Sequence, residues 1–135
     1  MELHLQIIGF ILIALAGIHV FFARYFNWKQ ELRYLSLINR QMMIVHTFFL
    51  ALVLFLVGLL CLTSSNEMVS TRLGNKVCLG LGTFWIIRLM FQFFVYSPLL
   101  WKGKRFETMV HIIFIALWTY LTIIFLWIGK PVIFM

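Results

Sequence analysis

At 135 residues, with 64% of them apolar and 11% charged, the chain lies far from the roughly 45–50% apolar and 25% charged of soluble domains, which excludes a soluble fold. About 20 apolar residues cross a bilayer as a helix, so this length holds about four spans, and nothing remains for a second domain. The eleven Lys and Arg outnumber four Asp and Glu, for a net charge of +7. They sit at the borders of apolar runs without zinc-finger spacing or a phosphate-binding loop, which points to anionic lipid headgroups and away from nucleic acid.

The first apolar run covers residues 5–26. Ala14-Leu15-Ala16 ahead of Gly17 imitates a signal-peptide cleavage site, but the amino terminus carries Glu2 instead of a basic residue. The apolar run also continues well past that point, so it reads as a retained span. Gly9, Ala16 and Ala23 repeat every seven residues along it, and such small-residue stripes are where membrane helices approach closely. His19 stands beside that stripe.

The first connection reads as an interfacial amphipathic helix. Asn27 is placed to cap it with Gln30 three residues on, while Trp28, Leu32, Leu35 and Ile38 fall on one face and Lys29, Arg33, Ser36 and Arg40 on the other.

The second run, 42–62, contains His46, Phe48 and Phe49 and ends beside Cys61. The third, 77–96, begins beside Cys78 and carries Trp85, Arg88, Gln92 and Tyr96 on one helical face before Pro98 stops it. The two cysteines read as inert apolar-face thiols, although a bridge across the loop between them satisfies the spacing. The fourth run, 108–128, aligns His111, Ile115, Trp118 and Thr122. Solid apolar blocks of this length are helices and not barrel strands, because a lone strand leaves its backbone unsatisfied in lipid. The expected fold is therefore one all-α membrane domain over residues 1–135, an up-down-up-down antiparallel bundle of four transmembrane helices joined by short connections.

Basic residues set the orientation. The first and third connections hold Lys29, Arg33, Arg40, Lys102, Lys104 and Arg105, joined by Arg24, against Arg72, Lys76 and Lys130 on the other side. The positive-inside rule puts both basic connections in the cytoplasm of a bacterial inner-membrane protein and both termini outside. Tyr25, Trp28, Tyr34, Tyr96 and Trp101 mark the same border as aromatic anchors, with Trp127 near the outer one.

Ionisable residues inside spans are costly and so most informative. Counted from the cytoplasmic ends, His19 lies roughly 10 Å deep, His46 and His111 near 6 Å and Arg88 near 12 Å. These residues come from four helices, at depths close enough to converge on one internal site with Gln92 one turn from Arg88. No span contains a carboxylate, since Glu2, Glu31, Glu67 and Glu107 all lie outside. Arg88 therefore either snorkels to the border or meets an anionic group from outside the chain.

Imidazole ligates iron, copper and zinc, and facing bundle helices are a recurrent place for such sites. A b-type haem needs one or two axial histidines, aromatic walls and cations for its propionates. His19, His46 and His111 supply the ligands, Phe48, Phe49, Trp85 and Trp118 the walls, and Arg88 or Arg40 the propionate partner. The leading expectation is a small membrane redox protein that carries haem b, or alternatively iron, copper or zinc, for electron transfer or oxidation of a lipophilic substrate. In the main alternative the same residues hold no cofactor and tie helices together, in a non-catalytic subunit or assembly factor of a larger membrane complex or a homo-oligomer. A small transporter is a weaker third reading, because only Gly80 and Gly82 hint at an interrupted helix. In size and four-span layout the chain is similar to small membrane haem proteins, including the membrane protoporphyrinogen oxidases of bacteria. That resemblance assigns no residue a role.

Overall fold

The computed structural model describes residues 1–25, 27–95 and 103–134, excluding the side chains of residues 22–24. The expectations for Phe26, Tyr96, Pro98, Trp101 and Lys102, and for the side chains of Ala23 and Arg24, lie outside the described residues.

No strand occurs among them. The elements in chain order are α1 (Glu2–Tyr25), α2 (Trp28–Glu31), a 3₁₀ turn (Leu32–Tyr34), α3 (Leu37–Thr63), α4 (Ser65–Ser70), α5 (Arg72–Phe94) and α6 (Arg105–Ile133). Four of these helices, α1, α3, α5 and α6, are long and apolar enough to cross a membrane. The shortest, α5 with 23 residues, is about 35 Å long at 1.5 Å per residue, more than the roughly 30 Å hydrocarbon core.

The helices outrun the apolar runs that announce them. α3 starts five residues before Met42 and α5 five before Val77, while α6 continues past Ile128 to include Pro131 in its last turn. Hydropathy marks where a helix is apolar. Where it stops depends on caps, and Ser36 and Thr71 supply them: Ser36 Oγ accepts from Asn39 N at 3.4 Å, and Thr71 Oγ1 accepts from Gly74 N at 2.9 Å.

The first connection departs from the expected continuous amphipathic helix. It is one turn of α2 and one 3₁₀ turn, after which Leu35 is extended (φ −86°, ψ 154°) and Ser36 restarts the chain as α3. Asn27 adopts a left-handed conformation (φ 56°), and its side chain donates to Gln30 Oε1 at 2.9 Å instead of accepting from the backbone, so the capping box does not form. The apolar face breaks with the helix: Leu32 is buried, whereas Leu35 and Ile38 are 41% and 62% exposed.

The chain divides into two compact units, residues 3–65 and residues 66–135 with the first two residues. In the first unit, α1 and α3 meet backbone to backbone. A Cβ on Gly9 would stand 2.8 Å from Gly58 O, and one on Gly58 equally close to Gly9 O. Small residues thus allow a separation that any side chain would forbid. Leu5, Ile8 and Leu12, fully buried at helical spacing on α1, continue the inward face.

In the second unit α5 packs on α6. Positions pair as Leu79 with Gly129, Gly82 with Leu126, Trp85 with Trp118 and Gln92 with His111, so numbers rise along one helix as they fall along the other. Gly82 and Gly129 make the approach close, a Cβ on Gly129 falling 2.8 Å from Leu79 Cα. At the far end, buried Asn75 donates to Met68 O and Val69 O, both at 3.0 Å, and fastens α4 to α5.

Candidate functional site

The polar centre of the α5–α6 unit is a chain of three side chains. Arg88 and Gln92, one turn apart on α5, are joined from Arg88 Nη1 to Gln92 Oε1 at 3.3 Å. The Gln92 amide nitrogen then meets His111 Nδ1 on α6 at 2.7 Å. Arginine has only donors, so the amide oxygen must face Arg88 and the amide N–H must face His111. His111 Nδ1 is consequently the acceptor and its proton sits on Nε2. Gln92 is 7% exposed, a depth at which an unpaired amide would cost about 1–3 kcal/mol, so both bonds are required of it.

Aromatic rings cover the other side of Arg88. Its guanidinium carbon stands 5.3 Å from the Trp118 ring centroid. Trp118 is stacked on Trp85 at 4.8 Å and 17°, and on Phe114 at 5.3 Å and 18°, while Phe84 meets Trp85 edge-on at 5.0 Å. Guanidinium over an indole face is a favourable cation–π pair, stronger where water is excluded. The cluster therefore spreads the arginine charge over an amide oxygen and an aromatic face. Both indole Nε1 atoms of the stack are buried and have no hydrogen-bond partner. Trp118 O accepts from Thr122 Oγ1 at 2.7 Å, which occupies that hydroxyl within its own helix.

The remaining histidines belong to the other unit. His19 on α1 is half-buried and its Nδ1 lies 2.8 Å from Leu15 O. A carbonyl only accepts, so Nδ1 carries the proton and Nε2 holds the lone pair, the tautomer in which a histidine ligates metal while its other nitrogen is held by backbone. His46 is exposed on α3, as are Phe48 and Phe49 at 59% and 53%. The contacts of Gly9 with Gly58 and of Ile13 with Gly58 set a register in which residue 19 is level with about residue 50, so His46 stands roughly one turn, or 6 Å, farther along α3 toward Leu37. Arg40, half-buried at the end of the first turn of α3, lies past the level of the last residue of α1 in that register.

Arg88, Gln92, His111, Trp85 and Trp118 are thus assembled together, from the two faces that helical spacing assigns to α5 and α6. Phe114, the second ring on Trp118, was not legible as part of that face, although it stands four residues before Trp118 and so one turn away. Among the described residues no group of three or more His, Cys, Asp or Glu is placed to hold a metal ion. A haem asks for less, one or two imidazoles. Cys61 and Cys78 are both buried thiols.

Comparison with known proteins gives no relative: no family model, no curated protein and no solved structure matches the chain.

Proposed function

We propose that the protein is a small integral membrane redox protein of a bacterial inner membrane, in which His19 would hold haem b. The observation that carries this reading is the His19 Nδ1–H bond to Leu15 O at 2.8 Å, which leaves Nε2 basic and fixes the ring, as metal-ligating histidines require. His111 is assigned a different role, because its Nε2 carries the proton while Gln92 occupies Nδ1. Arg40, near the helix border, is the propionate partner, and His46 is the candidate second ligand. Bound haem supplies one-electron transfer; the chain supplies the ligand, the ring orientation and the charge near the propionates. Iron, copper or zinc at His19 is the variant of this proposal without porphyrin.

The membrane part of the proposal is supported by four helices of spanning length and by the bias of basic residues toward the first and third connections. It makes the fold an up-down-up-down antiparallel bundle with both termini extracytoplasmic and anionic lipid at its borders.

A second reading has its own support. The Arg88–Gln92–His111 chain bridges α5 and α6 and satisfies its groups as a helix tie does. In that reading the protein is a non-catalytic subunit or assembly factor of a larger membrane complex. Absorption spectra separate the two. Protein purified from its native membranes in mild detergent is expected to show a Soret band, lost in His19→Ala and kept in His111→Ala. A preparation with no Soret band and no stoichiometric iron, copper or zinc leaves the subunit reading.

A further inference from the structure

The amino-terminal end of α6 borders a groove of about 530 Å³ whose lining joins two chemistries. Lys104 and Arg105 line one end; Thr108, Met109, Ile112 and Ile113 continue it along the helix. Arg105, Met109, Ile112 and Ile113 follow the spacing of a single helical face. The cations are exposed, and Met109, Ile112 and Ile113 are 51%, 59% and 54% exposed. Glu107, the acidic residue of the same turn, does not line the groove.

Each half of this surface constrains the occupant. A small soluble anion would use Lys104 and Arg105 and leave the apolar stripe without a role, while a neutral hydrocarbon would leave two cations facing nothing. The order along the helix is charge first, then about 12 Å of apolar side chains from residue 105 to residue 113, close to the roughly 15 Å of one hydrocarbon leaflet. We propose that this groove binds one anionic phospholipid, with its phosphate against Lys104 and Arg105 and an acyl chain along Met109, Ile112 and Ile113. The site rests on the membrane insertion proposed above and is independent of haem.

Native mass spectrometry of the full-length protein in neutral detergent tests it, with phosphatidylglycerol and phosphatidylcholine of identical acyl chains offered together. The expected result is one retained phosphatidylglycerol per chain. Lys104→Gln with Arg105→Gln weakens that binding about ten- to thirty-fold, following the contribution of two basic residues at an anionic surface. Arg105→Lys, which keeps the charge, retains the lipid, as does Lys130→Gln at the opposite end of α6. Met109→Ser with Ile112→Ser also weakens retention, and soluble glycerol phosphate does not compete. Circular dichroism on each variant reports folding. Equal retention of the two lipids, undiminished binding in the double charge variant, or full competition by glycerol phosphate overturns the proposal. Carbonate extraction keeps the outcomes apart: release of the chain from membranes defeats the insertion reading, whereas a chain that stays in the pellet yet ignores lipid charge defeats only this site.

Discussion

Gln92 and His111 meet at 2.7 Å across the α5–α6 interface, and the orientation of that bond is dictated by a third residue, Arg88, which takes the amide oxygen. Turning the amide over would put its N–H groups against a guanidinium that cannot accept, so the histidine tautomer follows from the arginine. One interhelical bond thereby fixes the side-chain geometry of two helices.

The coupling between those residues is measurable by a double-mutant cycle of Gln92→Leu and His111→Leu in unfolding from mixed micelles. Interhelical hydrogen bonds in membranes average about 0.6 kcal/mol, with a maximum near 1.7. The coupling is expected toward the upper part of that range, because Gln92 is buried and Gln92→Leu also removes an acceptor of Arg88. Additive effects of the two changes would show that the bond does not form.

Glycine substitutions separate close approach from composition. A Cβ on Gly129 would lie 2.8 Å from Leu79 backbone and side-chain atoms, whereas one on Gly80 meets nothing within 4 Å. Gly129→Ala is expected to destabilise by about 1–3 kcal/mol through forced separation of α5 and α6. Gly80→Ala should be neutral or stabilising by up to about 1 kcal/mol, since alanine is the better helix former. Thermal or denaturant unfolding in detergent ranks the two, and equal effects would contradict the interface.

The contrast between these glycines also shows what a single sequence carries. Helix number and the shared faces of Trp85, Arg88 and Gln92 and of His111 and Trp118 are periodic features, and periodicity is readable. Gly80 and Gly82 look alike in sequence, and only their rotation about α5 distinguishes an open position from one against Leu126. The break at Leu35 was hidden for another reason. Trp28, Leu32, Leu35 and Ile38 keep helical spacing through it, but Ser36 offers an N-cap to α3 that competes with continuation. Asn75, buried with both bonds made to α4, carries no periodic signal in the sequence.

The stacked indoles give an optical prediction. Trp85 and Trp118 at 4.8 Å and 17° are close enough for their transitions to couple, so a near-ultraviolet circular dichroism signal should vanish in either Trp85→Phe or Trp118→Phe. Each substitution removes a buried indole N–H that has no acceptor. That relief offsets part of the lost ring area, so Trp85→Phe should cost no more than about 1 kcal/mol. A larger loss would mean that the indole N–H has an acceptor in solution.

Orientation in the membrane is testable with single introduced cysteines, because the native Cys61 and Cys78 are buried and can be replaced by alanine to remove background. Ser36 and Asn66 are both exposed, one before α3 and the other after it, so Ser36→Cys and Asn66→Cys report opposite ends of one span. Lys29, Arg33 and Arg40 flank the first position, and the positive-inside rule assigns that end to the cytoplasm. Asn66→Cys is therefore expected to react with a membrane-impermeant maleimide in intact cells, and Ser36→Cys only after permeabilisation. Labelling of Ser36→Cys from outside would invert the topology, and labelling of both sites in intact cells would mean that α3 does not cross the bilayer at all.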